Sequence, residues 1–209
     1  MCLLIEASER ELEMSKREQN KIEVRHSILK ASRKLFTANS YDGTLMTDIA
    51  EKANVSKATV YNYFPNKESL LIGIEQELIL QITGMIEDDP GKAKSSEAML
   101  REALEALVQA SAEYPDLAKL ITYLNSCEDS ALYETRLPLE KLFIKLIEGA
   151  KEEGSFKDGI EAERVADIIM GIYLITLFQW EHIDRYTPAQ LGRKLDQTYK
   201  EIMADCVYA

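Results

Sequence analysis

The sequence predicts an all-α protein, and three features lead to that expectation. First, 46% of the 209 residues are apolar, which is enough for a sizeable core. Second, those residues recur mostly with the 3.6-residue period of an amphipathic helix rather than with the alternation of a strand. Third, only 5 prolines and 9 glycines interrupt the pattern, and no two strands joined by a hairpin turn are recognisable.

The charged residues divide the chain into parts of different net charge. Residues 1–19 contain three Lys/Arg and five Asp/Glu (−2), residues 20–70 contain eight and five (+3), and residues 71–209 contain 14 and 26 (−12), which together give −11. A mildly basic block on a strongly acidic body suggests two separate tasks. We therefore predict an acidic N-terminal extension over 1–19, a three-helix domain over 20–70 and a larger helical domain over 71–209.

The cysteines and the apolar runs favour an intracellular protein that does not cross a membrane. Cys2, Cys127 and Cys206 lie far apart, so we expect reduced thiols, and a redox role for one of them stays open. The N-terminus lacks the basic region and the long apolar stretch of a secretory signal. The longest apolar run, residues 168–180, has 13 residues against the roughly 20 that span a bilayer. The cytoplasm is the expected compartment.

The first helix of the 20–70 block is amphipathic. One face of this helix carries apolar and small side chains, and the basic residues Lys30, Arg33 and Lys34 lie on its other sides. That face consists of Ile28, Leu29, Ser32, Leu35 and Phe36. We expect this helix to end near Asn39 and Ser40.

A second short helix follows at once. Thr44 is its predicted N-cap, because threonine oxygens accept hydrogen bonds from the first free amides of a helix. Ile49, Ala50 and Ala53 form its predicted inner face. Asn54 tolerates the left-handed backbone conformation that a sharp helix exit needs.

A third helix begins only three residues later, which is the length of a helix-turn-helix connection. Ser56 is its predicted cap, and it runs over 57–64. Pro65 forces Phe64 out of helical geometry. Asn66 then caps a fourth helix that runs to about Met85 or Glu87.

The acidic body is predicted to hold further helices. Residues 87–95 form the clearest break, and we expect a loop there. Serine and proline signals mark helices near 96–113, 116–127, 131–153, 161–184 and 188–206. Pro138 is a point at which the helix over 131–153 can divide.

The stretch SKATVYNYFPNKESL, residues 56–70, suits neither a core helix nor an ordinary solvated one. Val60 and Phe64 can pack inward, but the polar residues between them cannot all be core. A helix that enters the DNA major groove needs such residues, because Lys reaches guanine, Asn pairs with adenine and Thr or Ala contacts the thymine methyl. Tyrosine hydroxyls suit phosphate oxygens. A tripeptide turn between short helices also occurs in many helical proteins, so a purely structural pair remains open.

Residues 24–71 resemble the N-terminal DNA-binding domain of the tetracycline-repressor (TetR) family. The resemblance is carried by the stretches ILKASRKLF, YDGT and DIAEKANVSKATVYNYFPNKESLL, and it covers about a quarter of the chain. The chain departs from the family pattern at Ser40, Asn54 and Ala58, where glycine is usual or frequent, and at Leu45, where Thr or Ser is common.

The resemblance implies DNA contacts at nine positions. The implied phosphate contacts are Thr44, Ser56, Tyr61, Tyr63 and Lys67. The implied contacts to base edges are Lys57, Ala58, Thr59 and Asn62.

The resemblance also implies a function for the acidic body. The family fold implies an effector domain and a homodimer that binds a double-stranded DNA operator. The dimer would form through residues 161–206, where Gly171 permits close helix approach. A small hydrophobic or amphipathic effector would enter the core and release the DNA. The candidate effector-binding residues, each of which also suits a plain core, are Met85, Met99, Tyr114, Tyr123, Phe143, Met170, Tyr173 and Phe178.

Two other functions compete with a ligand-responsive repressor. A DNA-binding protein that works through a protein partner, or as an activator without a small ligand, has the same sequence features. An all-α enzyme lacks support, because the chain has no GxSxG, P-loop, GxGxxG or metal-ligand pattern. We expect no catalytic residue, metal or cofactor.

Overall fold

The computed structural model describes residues 2–87, 94–178 and 188–204, with side chains from residue 15 onward except at 87, 178, 188, 191 and 202. The described part is helical and has no sheet, which confirms the all-α prediction. The chain divides into two compact units, Met1–Gly73 and Ile74–Ala209. The helices are α1 (Cys2–Asn39), α2 (Met46–Lys52), α3 (Lys57–Tyr63), α4 (Lys67–Glu87), α5 (Ser96–Glu113), α6 (Pro115–Asn125), α7 (Leu137–Glu152), α8 (Ala162–Phe178) and α9 (Pro188–Met203), with a 3₁₀ helix at Tyr133–Arg136.

The first unit is built on α1, which is longer than its amphipathic part. Ile28 and Leu29 are fully buried and Phe36 nearly so, as their spacing predicts. The helix ends at Asn39 because Ser40 adopts a left-handed φ of 64°. The predicted boundary between residues 19 and 20 therefore falls inside one continuous helix.

The cap of α2 differs from the prediction. Thr44 is fully buried, and its hydroxyl faces the carbonyls of Leu35 (3.1 Å) and Ser40 (2.8 Å). The predicted N-cap at Thr44 is therefore wrong, since that hydroxyl closes the preceding turn. Leu45 is the N-cap, and the Asp48 carboxylate accepts its amide hydrogen at 3.3 Å.

The turn between α2 and α3 has the predicted geometry. Asn54 takes a left-handed φ of 56°, and the Val55 amide donates back to the Ala50 carbonyl at 3.0 Å. Phe64 leaves the helix with φ −141° and ψ 100°, just before Pro65. These observations confirm a helix-turn-helix in the first unit.

The helix α4 begins with the predicted asparagine cap. The Asn66 side-chain oxygen accepts from the Ser69 amide at 2.8 Å. From Lys67 to Ile86 the helix is long and apolar enough, by length and composition alone, to cross a membrane. Core helices of soluble proteins can have the same length and composition, and a third of the most apolar stretch of α4 is buried inside the protein.

The second unit packs α5 against α7, α8 and α9. The largest fully buried side chains of this unit include Phe143, Phe156 and Tyr199. At the N-terminus of α5, the Glu153 carboxylate accepts from the Ser96 amide (2.8 Å) and hydroxyl (2.6 Å). A Cβ at Gly149 would lie 2.5 Å from that hydroxyl, so glycine is needed for this close approach.

The predicted helix over 131–153 is wrong in its first part. Residues 126–132 form turns in which the Ser130 amide donates to the Cys127 carbonyl at 3.0 Å, and a 3₁₀ helix follows. The helix α7 begins only at Leu137, with Pro138 in its first turn, where a missing amide hydrogen costs nothing. Most of the loop predicted over 87–95, the last residues of the helix predicted to 184, and Cys206 lie outside the described residues.

Candidate functional site

The outward face of α3 carries four of the predicted DNA contacts. Lys57, Ala58, Tyr61 and Asn62 are all exposed. Their spacing of one, four and five residues places them on one side of the helix. The opposite side holds Val60, which is fully buried, so the orientation of α3 is fixed by its apolar residues.

Two of these side chains lie together. The Lys57 ammonium is 5.8 Å from the centre of the Tyr61 ring, within the range of a cation–π contact. The Tyr61 side chain is 41% exposed, so its hydroxyl is open to a partner. The pair presents a positive charge and a hydroxyl at the same place, which suits phosphate or guanine.

Ser56 and Thr59 stabilise the start of α3. The Ser56 oxygen accepts from the Thr59 amide at 3.0 Å, and the two hydroxyls lie 2.8 Å apart. This confirms the predicted cap. Their hydroxyls are thus already hydrogen-bonded within the protein, although Ser56 is exposed and Thr59 is half-buried.

Tyr63 and Thr44 are less open than the α3 face. Tyr63 is half-buried, and its ring centre lies 6.5 Å from that of Phe64. The buried hydroxyl of Thr44 is directed to backbone carbonyls and does not face solvent.

Lys67 binds the turn before α2. Its ammonium donates to the carbonyls of Tyr41 (2.7 Å) and Asp42 (3.3 Å) and lies 4.7 Å from the centre of the Tyr41 ring. Partial burial, helped by the negative charges of Glu68 and Asp42, raises the pKa of the Tyr41 hydroxyl. An ammonium has three donors, so one remains for a phosphate.

The predicted effector residues do not share one environment. Phe143 is fully buried, whereas Met85 is 45% and Tyr123 66% exposed. Tyr114 and Met170 are half-buried, and the side chain of Phe178 lies outside the described residues.

One predicted residue, Met99, lines an open groove of about 470 Å³ in the second unit. Its walls come from α4, α5 and α7 and include the charged side chains of Lys145, Glu148 and Glu152. Ile86 and Leu146 supply apolar surface. The groove is therefore lined by both apolar and charged side chains.

A polar cluster around Glu75 was missed by the sequence reasoning. Glu75 is only 9% exposed, and its carboxyl meets the side chains of Asn125 (2.6 Å) and Thr135. No Lys, Arg or His side chain of the described chain pairs with it. Burial raises the pKa of Glu75, and its two hydrogen bonds act in the opposite direction. The sequence did contain one signal for it. Glu75 lies four residues from Leu71 and four from Ile79, both of them buried, so helical periodicity places Glu75 on the buried side of α4.

The Thr135 hydroxyl faces the Glu75 carboxyl and, at 2.6 Å, the Leu132 carbonyl. It has one hydrogen to donate, so it can satisfy only one of these acceptors fully.

Tyr173 extends the polar region. Its hydroxyl lies 2.9 Å from the Ser111 hydroxyl, which itself lies 2.8 Å from the Leu107 carbonyl. Burial raises the pKa of Tyr173 to about 12, against the effect of hydrogen bonds to Ser111 and Thr122, and the charge of Glu75 raises it further. Polar groups from α4, α5, α6 and α8 thus gather inside an apolar unit.

One face of α8 is apolar and open. Ile168 is 43% and Ile175 is 60% exposed, although both belong to an apolar helix. Gly171 lies between them, and a Cβ there would meet nothing within 4 Å. In the described chain these three positions, three and four residues apart, form one uncovered stripe.

The fold and the polar α3 face define the first unit as a helix-turn-helix domain. Residues 28–74 match the sequence pattern of the family described as "Bacterial regulatory proteins, tetR family". The chain is 27% identical over 166 residues to the uncharacterized HTH-type transcriptional regulator YhgD of Bacillus subtilis, covering 74% of this chain and 82% of that protein. It is 23% identical over 158 residues to the fatty acid metabolism regulator protein of the same organism, covering 73% and 81%.

A solved structure has a similar fold over most of the chain. Thermus thermophilus FadR, a TetR-family transcriptional repressor in complex with lauroyl-CoA, superposes with a TM-score of 0.65 at 24% identity, covering 88% of this chain and 96% of that one. Residues 28–74 therefore carry the pattern of the TetR-family DNA-binding domain, and the chain as a whole is similar to TetR-family regulators in sequence and fold. The predicted family is thereby confirmed.

Proposed function

We propose that this regulator is a homodimeric repressor that binds an operator through α3 and leaves it when a small effector occupies the second unit. The observation that carries the proposal is the exposed α3 face. A lysine, an asparagine and a tyrosine stand there beside a small alanine, on a helix whose other side is anchored in the core. These are residue types that read base edges and bind phosphates in the major groove.

The apolar stripe of α8 supports a dimer. Ile168, Gly171 and Ile175 are uncovered in one protomer, and a glycine between two isoleucines lets a second helix come close. Two helix-turn-helix domains in a dimer would meet half-sites about 34–36 Å apart. The operator is then expected to be a near-palindrome.

The polar cluster around Glu75 supports an amphipathic effector. An apolar core with a few convergent polar groups is the usual composition of a ligand site. Glu75, Asn125 and Thr135 would anchor the polar end of such a molecule, and the surrounding apolar side chains would accept its hydrophobic part. The fatty acid regulator and the lauroyl-CoA complex among the related proteins make a long acyl chain the first molecule to try.

The test is a titration of the protein onto DNA from upstream of its own gene, at two salt concentrations and with random DNA as competitor. The proposal predicts tight, salt-sensitive binding that survives the competitor, with a footprint of two half-sites one helical turn or a multiple apart. Lauroyl-CoA is then added to the complex. Release of the DNA supports the effector step. If the protein stays bound to DNA in the presence of every molecule in a broad amphipathic panel, the alternative function, regulation through a protein partner, is favoured.

A further inference from the structure

The N-terminal part of α1 carries basic side chains that the helix-turn-helix does not use. We propose that this part, residues 15–25 and named here the basic arm, is a second site for the DNA backbone. The proposal rests on the proposed function, because it assumes that α3 binds DNA. The family pattern begins only at residue 28, so the arm lies outside the part of the chain that the family match covers.

The charge of the arm is the first observation. The arm, residues 15–25, contains four Lys/Arg and two Glu, a net charge of +2 in a chain whose net charge is −11, and residues 26–34 add three more Lys/Arg. Lys16, Arg17 and Lys21 are exposed and form no hydrogen bond or ion pair with any side chain that the structure describes. The two acidic residues of the arm, Glu18 and Glu23, are exposed as well and pair with none of these cations.

The direction of the arm is the second observation. The Arg25 guanidinium lies 5.4 Å from the centre of the ring of Phe64, the residue that ends α3. The Ser27 hydroxyl donates to the carbonyl of Ala53, at the end of α2, at 3.2 Å. At residues 25–27, therefore, α1 contacts the ends of both helices of the helix-turn-helix.

Arg17 and Lys21 continue the side of α1 on which Arg25 lies. They are eight and four residues before it, and residues four apart are neighbours on one side of a helix. At 1.5 Å per residue, they lie about 12 and 6 Å further along the axis of α1, away from the contact between Arg25 and Phe64. The major groove is about 12 Å wide, so cations at this distance from a helix in the groove can reach the phosphates on its edge.

The experiment compares two double variants that each remove two positive charges, which takes the net charge from −11 to −13. The arm variant is Arg17→Gln with Lys21→Gln. The control is Lys141→Gln with Lys145→Gln, both exposed residues of α7 that lie outside the predicted dimer segment. Affinity for the operator and for random DNA is measured from about 50 to 200 mM salt, the range in which affinity that depends on phosphate contacts falls steeply.

The arm variant should weaken binding to both DNAs by the same factor, and the slope of log affinity against log salt should fall by about 0.9 for each phosphate that the arm no longer neutralises. The control should match the wild type, and all three proteins should melt at the same temperature. An arm variant with the wild-type slope would overturn the proposal. An unchanged slope together with weaker dimerisation would also overturn it, and would indicate that the arm binds the acidic body of a second copy instead of DNA. If the wild type prefers no DNA, the proposed function itself fails, which is a separate result.

Discussion

The ammonium of Lys67 donates a hydrogen bond to the main-chain carbonyl of Tyr41 at 2.7 Å. This contact ties the start of α4 to the turn before α2, so Lys67 has a structural role in addition to the phosphate contact that the family resemblance implies. We predict that Lys67→Met lowers the free energy of unfolding by about 1.5–3 kcal/mol, the usual worth of a hydrogen bond to a charged group. Urea unfolding measures this loss. The control is Lys57→Met, whose exposed ammonium has no backbone partner among the described residues, and equal stability of the two variants would contradict the prediction.

Asn54 adopts φ 56° at the corner between α2 and α3. A side chain with a Cβ costs roughly 1–2 kcal/mol in this region unless it is asparagine or aspartate, and glycine avoids the cost altogether. Asn54→Ala should therefore destabilise the protein by about 1 kcal/mol, and Asn54→Gly should be neutral or slightly stabilising. Thermal unfolding of the two variants side by side checks this. Equal melting temperatures would mean that the corner does not need a left-handed residue.

The raised pKa of Glu75 makes stability depend on pH. Well below the ordinary pKa of glutamate, the carboxyl is protonated in the folded and the unfolded chain, and its full contribution to stability is present. As the pH rises, the unfolded chain loses that proton first, so stability falls until the pH passes the raised pKa of the folded state.

Glu75→Gln has no such proton to lose. Its amide oxygen can accept from Asn125 as the carboxyl oxygen does, and its NH₂ group can donate to the Thr135 oxygen. We predict that the variant gains stability over the wild type as the pH rises from about 4.5. Urea unfolding at several pH values tests this, with Glu113→Gln, an exposed carboxyl on α5, as the matched control. A constant difference between Glu75→Gln and the wild type at all pH values would show that the pKa of Glu75 is the same in the folded and the unfolded chain, which would contradict the prediction.

Two variants on α8 test the proposed dimer. Gly171→Ala should stabilise an isolated protomer by about 1 kcal/mol, because alanine is the better helix former and its Cβ meets nothing there. In a dimer that uses this stripe, the same change should weaken association. Ile175→Glu should dissociate the dimer while the protomer stays folded, since the side chain is 60% exposed. Sedimentation velocity measures both effects, and Ile22→Glu, at a 69% exposed isoleucine of α1, is the control. Monomeric wild-type protein would contradict the dimer.

The helix-turn-helix was predictable because its signals are local. Ser56, Asn66 and Pro65 act on amides within a few residues, and Asn54 sets its own backbone angle, so short-range rules are sufficient. The structural role of Lys67 was missed because its partners lie 25 and 26 residues away. Long-range interactions of this kind leave no trace in a local pattern.

The second unit was less predictable for the same reason. Its helices follow from periodicity, but Glu75 finds Asn125 and Thr135 only after 50 and 60 residues. The start of α7 was placed too early because apolar periodicity continues through the 3₁₀ helix before it. The aromatic and methionine side chains predicted to bind an effector range from fully buried to mostly exposed, and composition alone does not distinguish these cases.

The central claim is that the exposed α3 face reads DNA sequence. The most direct measurement is the affinity of the wild type and of Asn62→Ala for the operator, with every base pair of one half-site replaced in turn. We expect that replacing one particular adenine costs the wild type about 1–3 kcal/mol of binding free energy and leaves the affinity of Asn62→Ala unchanged. Both proteins should bind random DNA equally. An identical base preference in the two proteins would contradict the claim that Asn62 and its neighbours on α3 contact the bases.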